Sequence, residues 1–591
     1  MYRVLEETAA QFGSALALHQ PYLEGGKKKY RTWTFHQYKV AAEEIAAGLR
    51  SLGVGKGDVV ALDSETRAEF YLSDLGILTN GSIAAALYPT LPVHDLIRTI
   101  RVIGARALFV EDPKTLRDLR KCGVPHMILL TGQAEGAITL DQLRVRGRAA
   151  IAAAPDLLPR IHAAIQPSDD AILYLTSGAT GEPKMVVVSH DALVSNLDMG
   201  PAVLPLGPTQ STVAFLPSAH IAQRVVIELL PLRMGMPVWF AESLNKLPHD
   251  LKSVRPTLLL APPRLWERIY STICTEIKKR KPVAQKMFYV ALGLGHEAAK
   301  RRQSGRPVPA WIRLPLAAAQ RLVFAKIRER FGGRITMSVS GAAPLGKDLA
   351  DFYAAVGMPL IEGYGLTEGG VVSMNPMDRP KSGSIGKPLP GVEIRIAGDG
   401  ELLVRSPCLF TRYLDDAAAT EEVLRDGWLY TGDVARVDEE GYIYITGRKK
   451  ELIVSSTGKK VFPSRVENLF QFEPLISQVL LVGDRLPYLT ALFTVNQVAA
   501  EALAGMESWK GRPLADIATA PPLIAETQKL VTRVNKQLAP WEQIRKYRIL
   551  DRDFSLEHGE LTPTMKLRRT RVMENFRTQI DELYSGKEEF R

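Results

Sequence analysis

A segment rich in glycine and hydroxyl side chains follows a short apolar run near residue 175. It reads LYLTSGATGEPK over residues 173–184. Glycines let backbone N–H groups turn toward an anion, the hydroxyls of Thr176, Ser177 and Thr180 add donors, and Lys184 supplies a cation. The segment is not a Walker A loop, because Lys184 follows Gly-x-Pro and has no Ser or Thr after it. The order of these residues predicts a phosphate-binding loop rather than an ordinary turn.

Four more segments carry polar residues next to apolar runs. They are SVSGAAPLG (338–346), EGYGLTEGG (362–370), YTGDVARVDEEGYIYITGRKKELI (430–453) and LTPTMKLRR (561–569). Taken singly, an acid or a lysine from any of them is a turn residue or a solvated charge. Taken together and in this order, they predict one site assembled from distant parts of the chain.

Together with residues 173–184, these segments resemble the motifs of the adenylate-forming superfamily of acyl-CoA synthetases, peptide-synthetase adenylation domains and luciferases. The resemblance covers essentially the whole chain. Within the superfamily, LPSAHIAQRVV (216–226), RPTLLLAPPRLWERIY (255–270) and a basic insert are most similar to long-chain fatty acyl-CoA synthetases. The resemblance implies an AMP-forming long-chain fatty acid–CoA ligase.

The implied reaction has two steps. A carboxylate attacks the α-phosphate of ATP to give acyl-AMP and pyrophosphate, and the thiol of CoA then displaces AMP. Because two anions must meet in the first step, cations and hydrogen-bond donors around the α-phosphate lower its barrier. ATP, Mg²⁺ and the co-substrate CoA are therefore the implied small molecules.

The resemblance also implies roles for individual residues. Thr176 and Glu368 would hold Mg²⁺ through the oxygen ligands that this ion prefers. Asp433 would bind the ribose hydroxyls with the help of Arg448, and Lys566 would bridge the carboxylate and the α-phosphate. The implied catalytic residues are Lys566, Thr176, Glu368 and Arg448, and the other implied nucleotide-binding residues are Ser177, Gly178, Thr180, Gly181, Lys184, Gly341, Ala342, Ala343, Glu362, Gly363, Tyr364, Thr367 and Asp433.

Two positions of the phosphate loop depart from the family pattern. Ala179 stands where a hydroxyl residue is usual, and Met185 replaces a common glycine after the lysine. The backbone donors and Lys184 remain, so we expect weaker ATP binding with function retained.

Three residues are implied in the substrate pocket: His220, Gly365 and Leu366. His220 lies where the family has a residue near the carboxylate and the thiol path, although a histidine after a strand is also often a packing residue. Short-chain members have a tryptophan at the position of Gly365, so the glycine predicts open space for a longer acyl chain. The alternative is that Gly365 only supports a tight turn at Tyr364.

The same residues bear on other functions within and beyond the superfamily. A peptide-synthetase module needs a carrier domain, yet 25 residues follow Lys566, and residues 215–223 hold no acid to select an ammonium group. A fatty acyl-AMP ligase that serves a carrier protein and a CoA ligase for a medium-chain or aromatic acid remain alternatives. A non-catalytic acyl-binding or membrane scaffold is disfavoured, because Lys184, Glu368, Asp433, Arg448 and Lys566 are all retained.

Alternating strand and helix patterns must position these segments. Buried strands are predicted at 171–176, 256–262 and 334–340, and an amphipathic helix at 35–53. This alternation favours an α/β fold with layered, largely parallel sheets. Residues 144–168, which contain Ala, Pro and Arg, are expected to form a loop or linker.

We predict two domains: a large multi-sheet N-terminal domain at residues 1–449 and a smaller α+β C-terminal domain at residues 450–591, which carries Lys566. By resemblance, the C-terminal domain rotates about a hinge at Lys450 between the two reactions. Pro463 suits the first turn of a helix at the start of the C-terminal domain.

The formal net charge of +11 is concentrated in one segment, residues 276–334, which we call the basic insert. It holds fifteen Lys and Arg against three acids, a net charge of +12, and the remaining residues sum to about −1. Apolar residues are interleaved with the cations, which favours peripheral contact with an anionic membrane over nucleic acid. The alternative is a pair of solvated helices whose apolar residues pack on the core.

Cysteine usage and hydropathy bear on the compartment. Three widely spaced cysteines exclude a disulfide scaffold and a CxxC zinc or redox motif. No apolar run approaches the roughly 18 residues of a spanning helix, and the first residues are acidic rather than signal-like. The sequence therefore predicts a cytoplasmic protein with peripheral membrane contact through the basic insert.

Overall fold

The computed structural model describes residues 1–176, 184–470, 473–562 and 565–585. Strands and helices alternate through these ranges, so the predicted layered α/β fold is confirmed. Several sheets precede the short turn at Lys449–Glu451, and a smaller α+β unit follows it.

The largest sheet among the described residues has nine strands, and its six central strands run parallel. Neighbouring parallel strands end at one edge of a sheet, so the residues after Ser340 and those around Glu362 come together there. In spatial order the strands are Lys387–Pro388, Gly370–Met374, Leu360–Leu366, Met337–Ser340, Leu258–Ala261, Thr212–Ala214, Val238–Phe240, Leu16–Glu24 and Lys27–Thr34.

A second sheet, with eight strands in the described ranges, carries the residues on either side of the predicted phosphate loop. Its order is Arg412–Tyr413, Lys184–Ser189, Asp170–Thr176, Ile83–Ala86, Val59–Asp63, Ala107–Val110, His126–Leu129 and Ile138–Thr139. The edge strand Arg412–Tyr413 pairs antiparallel with Val186 and Val187. This pairing brings residues from beyond position 400 next to the phosphate loop.

Smaller sheets complete the described strands. One contains Glu393–Ile396, Glu401–Arg405, Trp428–Val437, Leu424–Arg425 and Ile443–Arg448. After the turn at Lys449–Glu451 come the hairpin of Ile453–Val454 and Lys460–Val461 and the sheet of Ile476–Val482, Leu489–Val495 and Ile544–Ile549.

Helices cover the sheets. The α-helices are Tyr2–Phe12, Phe35–Ser51, Ala68–Thr79, Val93–Val102, Pro113–Leu119, Leu140–Ala153, Leu157–Ala164, His190–Val203, Leu230–Arg233, Leu247–Val254, Pro263–Lys278, Pro282–Gln303, Ala310–Ala319, Ala325–Arg328, Lys347–Ala355, Ala417–Val423, Pro463–Glu467, Gln497–Glu501, Leu514–Ile517, Pro521–Asn535, Arg569–Asn575 and Arg577–Tyr584. Short 3₁₀ turns lie at Arg120–Cys122, Glu329–Phe331, Lys449–Glu451, Asn468–Phe470 and Glu507–Trp509, and π-helical stretches at Ala222–Leu229 and Gln320–Phe324. None of the helices in the described ranges has both the length and the apolar character that crossing a bilayer requires.

The expected loop at residues 144–168 is wrong, because most of it is helical. The helix Leu140–Ala153 begins at Thr139, whose hydroxyl accepts a hydrogen bond from the backbone N–H of Gln142, while the Gln142 side chain accepts one from Thr139. This reciprocal cap and the high helix propensity of alanine outweigh the polar composition of the segment. The predicted strands and the helix after residue 35 are confirmed to within a few residues.

The basic insert is folded onto the body of the protein. Its helices Pro282–Gln303 and Ala310–Ala319 bury Phe288, Ala291, Ile312 and Leu316 in a hydrophobic core that also contains Trp266. The packing alternative for the insert therefore holds for one face of each helix.

A cluster of ionisable side chains lies buried between the two large sheets. Arg224 forms an ion pair with Asp74, and both side chains are fully buried. Burial and the nearby Asp74 raise the pKa of Glu228 well above its ordinary value. With Glu228 in its neutral form, the cluster holds one cation, one anion and one neutral acid.

This charge assignment predicts unequal costs for removing the two acids. Glu228→Gln keeps a neutral donor and should lower the free energy of unfolding by less than about 1 kcal/mol. The double variant Asp74→Asn/Glu228→Gln leaves Arg224 charged and unpaired, which should cost about 3–5 kcal/mol. Urea unfolding measures both, and a Glu228→Gln variant as unstable as the double variant would show that Glu228 carries the negative charge.

Candidate active site

The predicted phosphate loop joins two antiparallel strands. Thr176 ends the strand Asp170–Thr176 and pairs in register with Lys184, the first residue of the next strand. The Thr176 hydroxyl donates a hydrogen bond to the Lys184 carbonyl at 3.2 Å. The predicted ligands between them, Ser177, Gly178, Thr180 and Gly181, lie outside the described residues, as does Ala179.

Tyr413 links the loop to the acid Glu368, a connection that the sequence did not predict. The Tyr413 hydroxyl donates to a carboxylate oxygen of Glu368 at 2.8 Å, and the ammonium of Lys184 lies 4.6 Å from the centre of the Tyr413 ring. A cation over an aromatic face is attracted to it electrostatically. Lys184 is therefore held beside Glu368, although 183 residues lie between them in the sequence. The two meet because the edge strand Arg412–Tyr413 pairs with Val186 and Val187.

Thr176 and Glu368 fit the magnesium role that the resemblance implies. Both are partly exposed residues with oxygen ligands, and only one Glu368 oxygen accepts a hydrogen bond from Tyr413. Mg²⁺ usually takes one or two protein oxygens and fills its octahedron with waters and substrate phosphates. A hydroxyl and a carboxylate are a suitable donor set for that ion.

The segments at 341–343 and 362–364 lie side by side, as predicted for a nucleotide pocket. Ser340 pairs with Glu362 in parallel strands, so Gly341, Ala342 and Ala343 leave the sheet next to Gly363. Ala342 has a φ of 68°, a left-handed conformation that costs a non-glycine residue energy and is typical of functional sites. The backbone at this edge is therefore held in a specific, strained turn.

Glu362 holds this turn rather than facing solvent. Its carboxyl accepts a hydrogen bond from the backbone N–H of Leu345 at 3.0 Å. Burial raises the pKa of Glu362 to about 8, so the group is largely neutral near pH 7. It positions the loop after Ser340 without adding a negative charge near the predicted triphosphate site.

Asp433 connects two of the predicted motifs. One of its oxygens accepts a hydrogen bond from the Tyr364 hydroxyl at 2.6 Å, and the other lies 3.0 Å from Nε of Arg448. Asp433 and Arg448 are directly opposed on the antiparallel strands Trp428–Val437 and Ile443–Arg448. Burial and Asp433 raise the pKa of Tyr364 well above its ordinary value, so Tyr364 stays a hydroxyl donor.

Lys566 is presented by a tight turn. Its backbone N–H donates to the Thr562 hydroxyl at 3.0 Å, and its carbonyl accepts from the Thr562 N–H at 2.8 Å. Met565, directly before it, has a φ of 63°. This left-handed residue reverses the chain and points the Lys566 backbone toward the site.

The Lys566 side chain lies among residues from three other motifs. Burial and the nearby Arg448 guanidinium lower its pKa, while the carboxylates of Asp433 and Glu368 act in the opposite direction. Lys566 also lowers the pKa of His220. Lys566 nevertheless remains exposed to solvent. The structure thus brings Lys566 together with His220, Glu368, Asp433 and Arg448.

His220 is held in one tautomer. Its Nδ1 accepts a hydrogen bond from the backbone N–H of Ala222 at 3.2 Å, so the ring proton resides on Nε2. Burial, and to a smaller extent Lys566, lower the pKa of His220 to about 3. The ring is therefore a neutral N–H donor near pH 7. It lies just before the π-helical stretch Ala222–Leu229, which is anchored by the buried Arg224.

The open space predicted beside Gly365 for an acyl chain stays a prediction, and the structure shows a close backbone approach at this position. A Cβ atom at this position would lie 2.6 Å from the Gly370 carbonyl oxygen, because an irregularity in the pairing of Leu360–Leu366 with Gly370–Met374 brings the two backbones together. The alternative, that Gly365 permits a tight backbone approach next to Tyr364, fits this geometry. Leu366 packs partly against the core, and Thr367 lies in the turn after it.

Two neighbouring lysines at the predicted hinge have different surroundings. Lys449 pairs with Asp399 at 2.5 Å and with Glu401 at 2.9 Å. Lys450 is mostly exposed and lies 3.6 Å from Glu422. Sequence patterns singled out Lys450 but missed Lys449, whose partners lie about fifty positions earlier with no motif around them.

This arrangement suits chemistry between two anions. Lys184, Arg448 and Lys566 supply positive charge, and His220 keeps a free N–H donor on Nε2, whereas the hydroxyl protons of Thr176 and Tyr364 are already donated within the protein. Fixed donors and cations of this kind stabilise negative charge that gathers in a transition state.

Comparison with known proteins agrees with this chemistry. The profile of the AMP-binding enzyme family matches residues 5–414, and that of the AMP-binding enzyme C-terminal domain matches residues 450–588. The chain is 36% identical to the long-chain-fatty-acid–CoA ligase FadD15 of Mycobacterium bovis over 94% of its own length and 93% of the relative's. It is 29% identical to the long-chain-fatty-acid–CoA ligase ACSBG2 of Rattus norvegicus over 99% and 92% of the two chains.

Solved structures show the same fold. The adenylation domain of the carboxylate reductase from Mycobacterium chelonae superposes with a TM-score of 0.74 at 21% identity, covering 99% of this chain and 90% of that one. Because the family profile matches more than two thirds of the chain and a full-length relative exceeds 30% identity, the chain belongs to the AMP-binding enzyme family.

Proposed function

We propose that the protein activates a long-chain fatty acid with ATP and transfers the acyl group to CoA. The observation that carries this proposal is the position of Lys566 beside His220, Glu368, Asp433 and Arg448, which unites four motifs in one cleft. The two long-chain-fatty-acid–CoA ligases among the relatives support the substrate class.

In the first step, the carboxylate oxygen attacks the α-phosphorus and the bond to pyrophosphate breaks. Lys566 is suited to bridging the two reacting anions, and Asp433 to accepting hydrogen bonds from the ribose. Mg²⁺ held by Thr176 and Glu368 would neutralise charge on the triphosphate. The residues 341–343 and 362–364 would form the adenine pocket, and Ser177–Lys184 would hold the β,γ-phosphates.

In the second step, the CoA thiolate attacks the acyl carbonyl and AMP leaves. Lys566 now fills the cleft at which the thiol must arrive, so it has to withdraw. We propose that residues 450–591 rotate as a unit relative to residues 1–449, with Lys450 as the hinge. The exposed, weakly paired Lys450 next to the firmly paired Lys449 supports a pivot at this point.

The long-chain acyl specificity is supported by the relatives FadD15 and ACSBG2. A panel of long-chain, medium-chain and aromatic acids, assayed for AMP formation with and without CoA, tests it. A long-chain ligase should form AMP fastest with long-chain acids and only with CoA present. Pyrophosphate release without any transfer to CoA would instead identify a ligase that serves a carrier protein.

Peripheral membrane contact through the basic insert is also part of this proposal. A long-chain acid partitions strongly into lipid, since each methylene buried contributes about 0.8 kcal/mol. An enzyme that uses it gains from lying at the bilayer surface.

The two steps should respond to different lysines. Lys566→Ala removes the bridging cation and should lower the rate of acyl-adenylate formation at least about 100-fold, as expected for a group that stabilises transition-state charge. It should spare thioester formation from supplied acyl-adenylate. Lys450→Pro restricts the hinge and should do the reverse. Pyrophosphate release and thioester formation measure the two steps, and equal loss of the same step in both variants would contradict the rotation.

The tautomer of His220 predicts which substitution is tolerated. Glutamine places an N–H near the position of Nε2, whereas asparagine places it near Nδ1. His220→Gln should therefore retain most of the adenylation rate, and His220→Asn should lose about 10- to 100-fold, the worth of one hydrogen bond to a charged group.

The same residue makes a prediction about pH. The pKa of His220 is lowered to about 3, so the ring does not titrate between about pH 5 and 8. The adenylation rates of the unmodified protein and of His220→Gln should therefore depend on pH in the same way across this range. Pyrophosphate release across this range measures it. A step near pH 6.5 that disappears only in the variant would show that His220 titrates in the working range.

A further inference from the structure

The basic insert exposes an unusual concentration of large apolar side chains. Of 21 exposed large apolar residues in the described ranges, seven fall between positions 283 and 322: Val283, Met287, Tyr289, Val290, Trp311, Leu314 and Leu322. Single exposed apolar residues are normal on a protein surface, but a cluster of this kind marks an interaction site.

The cluster forms two stripes. On the helix Pro282–Gln303, Val283, Met287 and Val290 follow the i, i+4, i+7 spacing of one helix face. On the next helix and the π-helical stretch after it, Trp311, Leu314 and Leu322 follow i, i+3, i+11. These six residues are 53–71% exposed.

The two stripes lie on adjacent helices. The rings of Phe288 and Phe324 are 6.2 Å apart, so the beginning of the first helix lies near the end of the second. Both helices direct other residues, such as Phe288 and Ile312, into one shared core. The stripes lie beside these buried faces and stay exposed, so each helix has a second apolar stripe that the fold does not bury.

Cations surround the stripes. Seven cations near the stripes are exposed. Four of them come just before the first stripe: Lys278, Lys279, Arg280 and Lys281. The other three lie within the stripes, Lys286 in the first and Arg313 and Arg321 in the second. Within the described part of the chain, the ion pairs of the insert use Arg301 with Glu297 and Arg330 with Glu276. Two of the three acids of the insert thus form ion pairs with cations outside this set of seven. The seven exposed cations are therefore not neutralised by these two acids and can bind a negatively charged partner.

We propose that this amphipathic face, defined by the two stripes and the seven cations, docks the enzyme on an anionic lipid bilayer. The apolar side chains would enter the boundary between headgroups and acyl chains, where tryptophan is favoured, and the cations would contact the headgroups. A second copy of the chain is a poor occupant, because two faces of the same high positive charge repel each other. Nucleic acid would satisfy the cations and leave both apolar stripes in water.

The benefit of membrane docking to the enzyme rests on the proposed function, whereas the binding of this face to lipid does not. A long-chain acid is concentrated in the bilayer, so an enzyme docked there meets its substrate at high local concentration. The binding itself requires no activity, which allows the two proposals to fail separately.

Sedimentation of the full-length enzyme with vesicles tests the face. The vesicles contain phosphatidylcholine alone or with about a third phosphatidylglycerol, which supplies the negative surface potential. The unmodified protein should bind the anionic vesicles at least about 10-fold more tightly, and raising the salt from about 0.1 M to about 1 M should release it as the Debye length falls from about 10 to about 3 Å.

Two sets of substitutions separate the contributions. Neutralising four cations, Lys279→Gln, Lys281→Gln, Lys286→Gln and Arg321→Gln, should weaken anionic-vesicle binding about 100-fold or more, since each cation near such a surface contributes measurably. The apolar variant Trp311→Ser/Leu314→Ser/Leu322→Ser should weaken binding at least about 10-fold and leave a more salt-sensitive remainder. All these side chains are exposed, so the variants should keep the activity of the parent toward a short, water-soluble acid.

Matched controls carry the same types of change elsewhere. Leu23→Ser/Leu244→Ser/Val498→Ser removes equally exposed apolar residues, and Lys27→Gln/Lys114→Gln/Lys510→Gln/Lys536→Gln removes four exposed cations. Both controls should bind vesicles like the parent. Equal loss in a control and its matched variant, or no preference of the parent for anionic vesicles, would overturn the proposal. So would a dimer in sedimentation equilibrium that the apolar variant dissociates. Vesicle binding without ligase activity toward any acid would overturn the proposed function alone.

Discussion

Asp433 is the residue on which the geometry of the cleft depends most. Its two oxygens hold Tyr364 on one side and Arg448 on the other, so it joins the large parallel sheet to the strand that leads into the turn at Lys449–Glu451. Lys566 then lies near Arg448, a second cation, and this approach is unfavourable unless a carboxylate is close by. Asp433 and Glu368 supply that negative charge, and an anionic substrate adds to it.

Part of the site could be predicted from the order of strands and polar residues. Residues 341–343 come directly after the strand Met337–Ser340, whose parallel neighbour carries 362–364, so these two motifs meet once the sheet forms. Asp433 lies within a strand of another sheet, and its approach to Tyr364 depends on how the two sheets pack. The alternating pattern also predicted the strands themselves. The loop expected at 144–168 failed for a local reason, since the capping pair of Thr139 and Gln142 and the alanines favour a helix.

Other features depend on tertiary structure and leave no local signal. Tyr413 reaches Glu368 only because a two-residue edge strand pairs beside Lys184. The surroundings of Gly365 depend on an irregularity in strand pairing, so the residue type alone does not reveal that a Cβ there would meet the carbonyl oxygen of Gly370. The buried partners Asp74 and Arg224 are 150 positions apart, and no spacing rule connects them.

The contrast between Lys449 and Lys450 has a mechanical meaning. Lys449 is clamped by two carboxylates of one sheet, whereas the adjacent residue is tethered to a single surface glutamate. In the proposed rotation, the two ion pairs of Lys449 would hold its side chain to the sheet before the turn, so the backbone angles that change would be those after Lys449. A change of a few angles there would move Met565 and Lys566, more than a hundred positions farther along the chain, through a large arc. Asp433, on a strand of the sheet that holds Lys449, would stay in place.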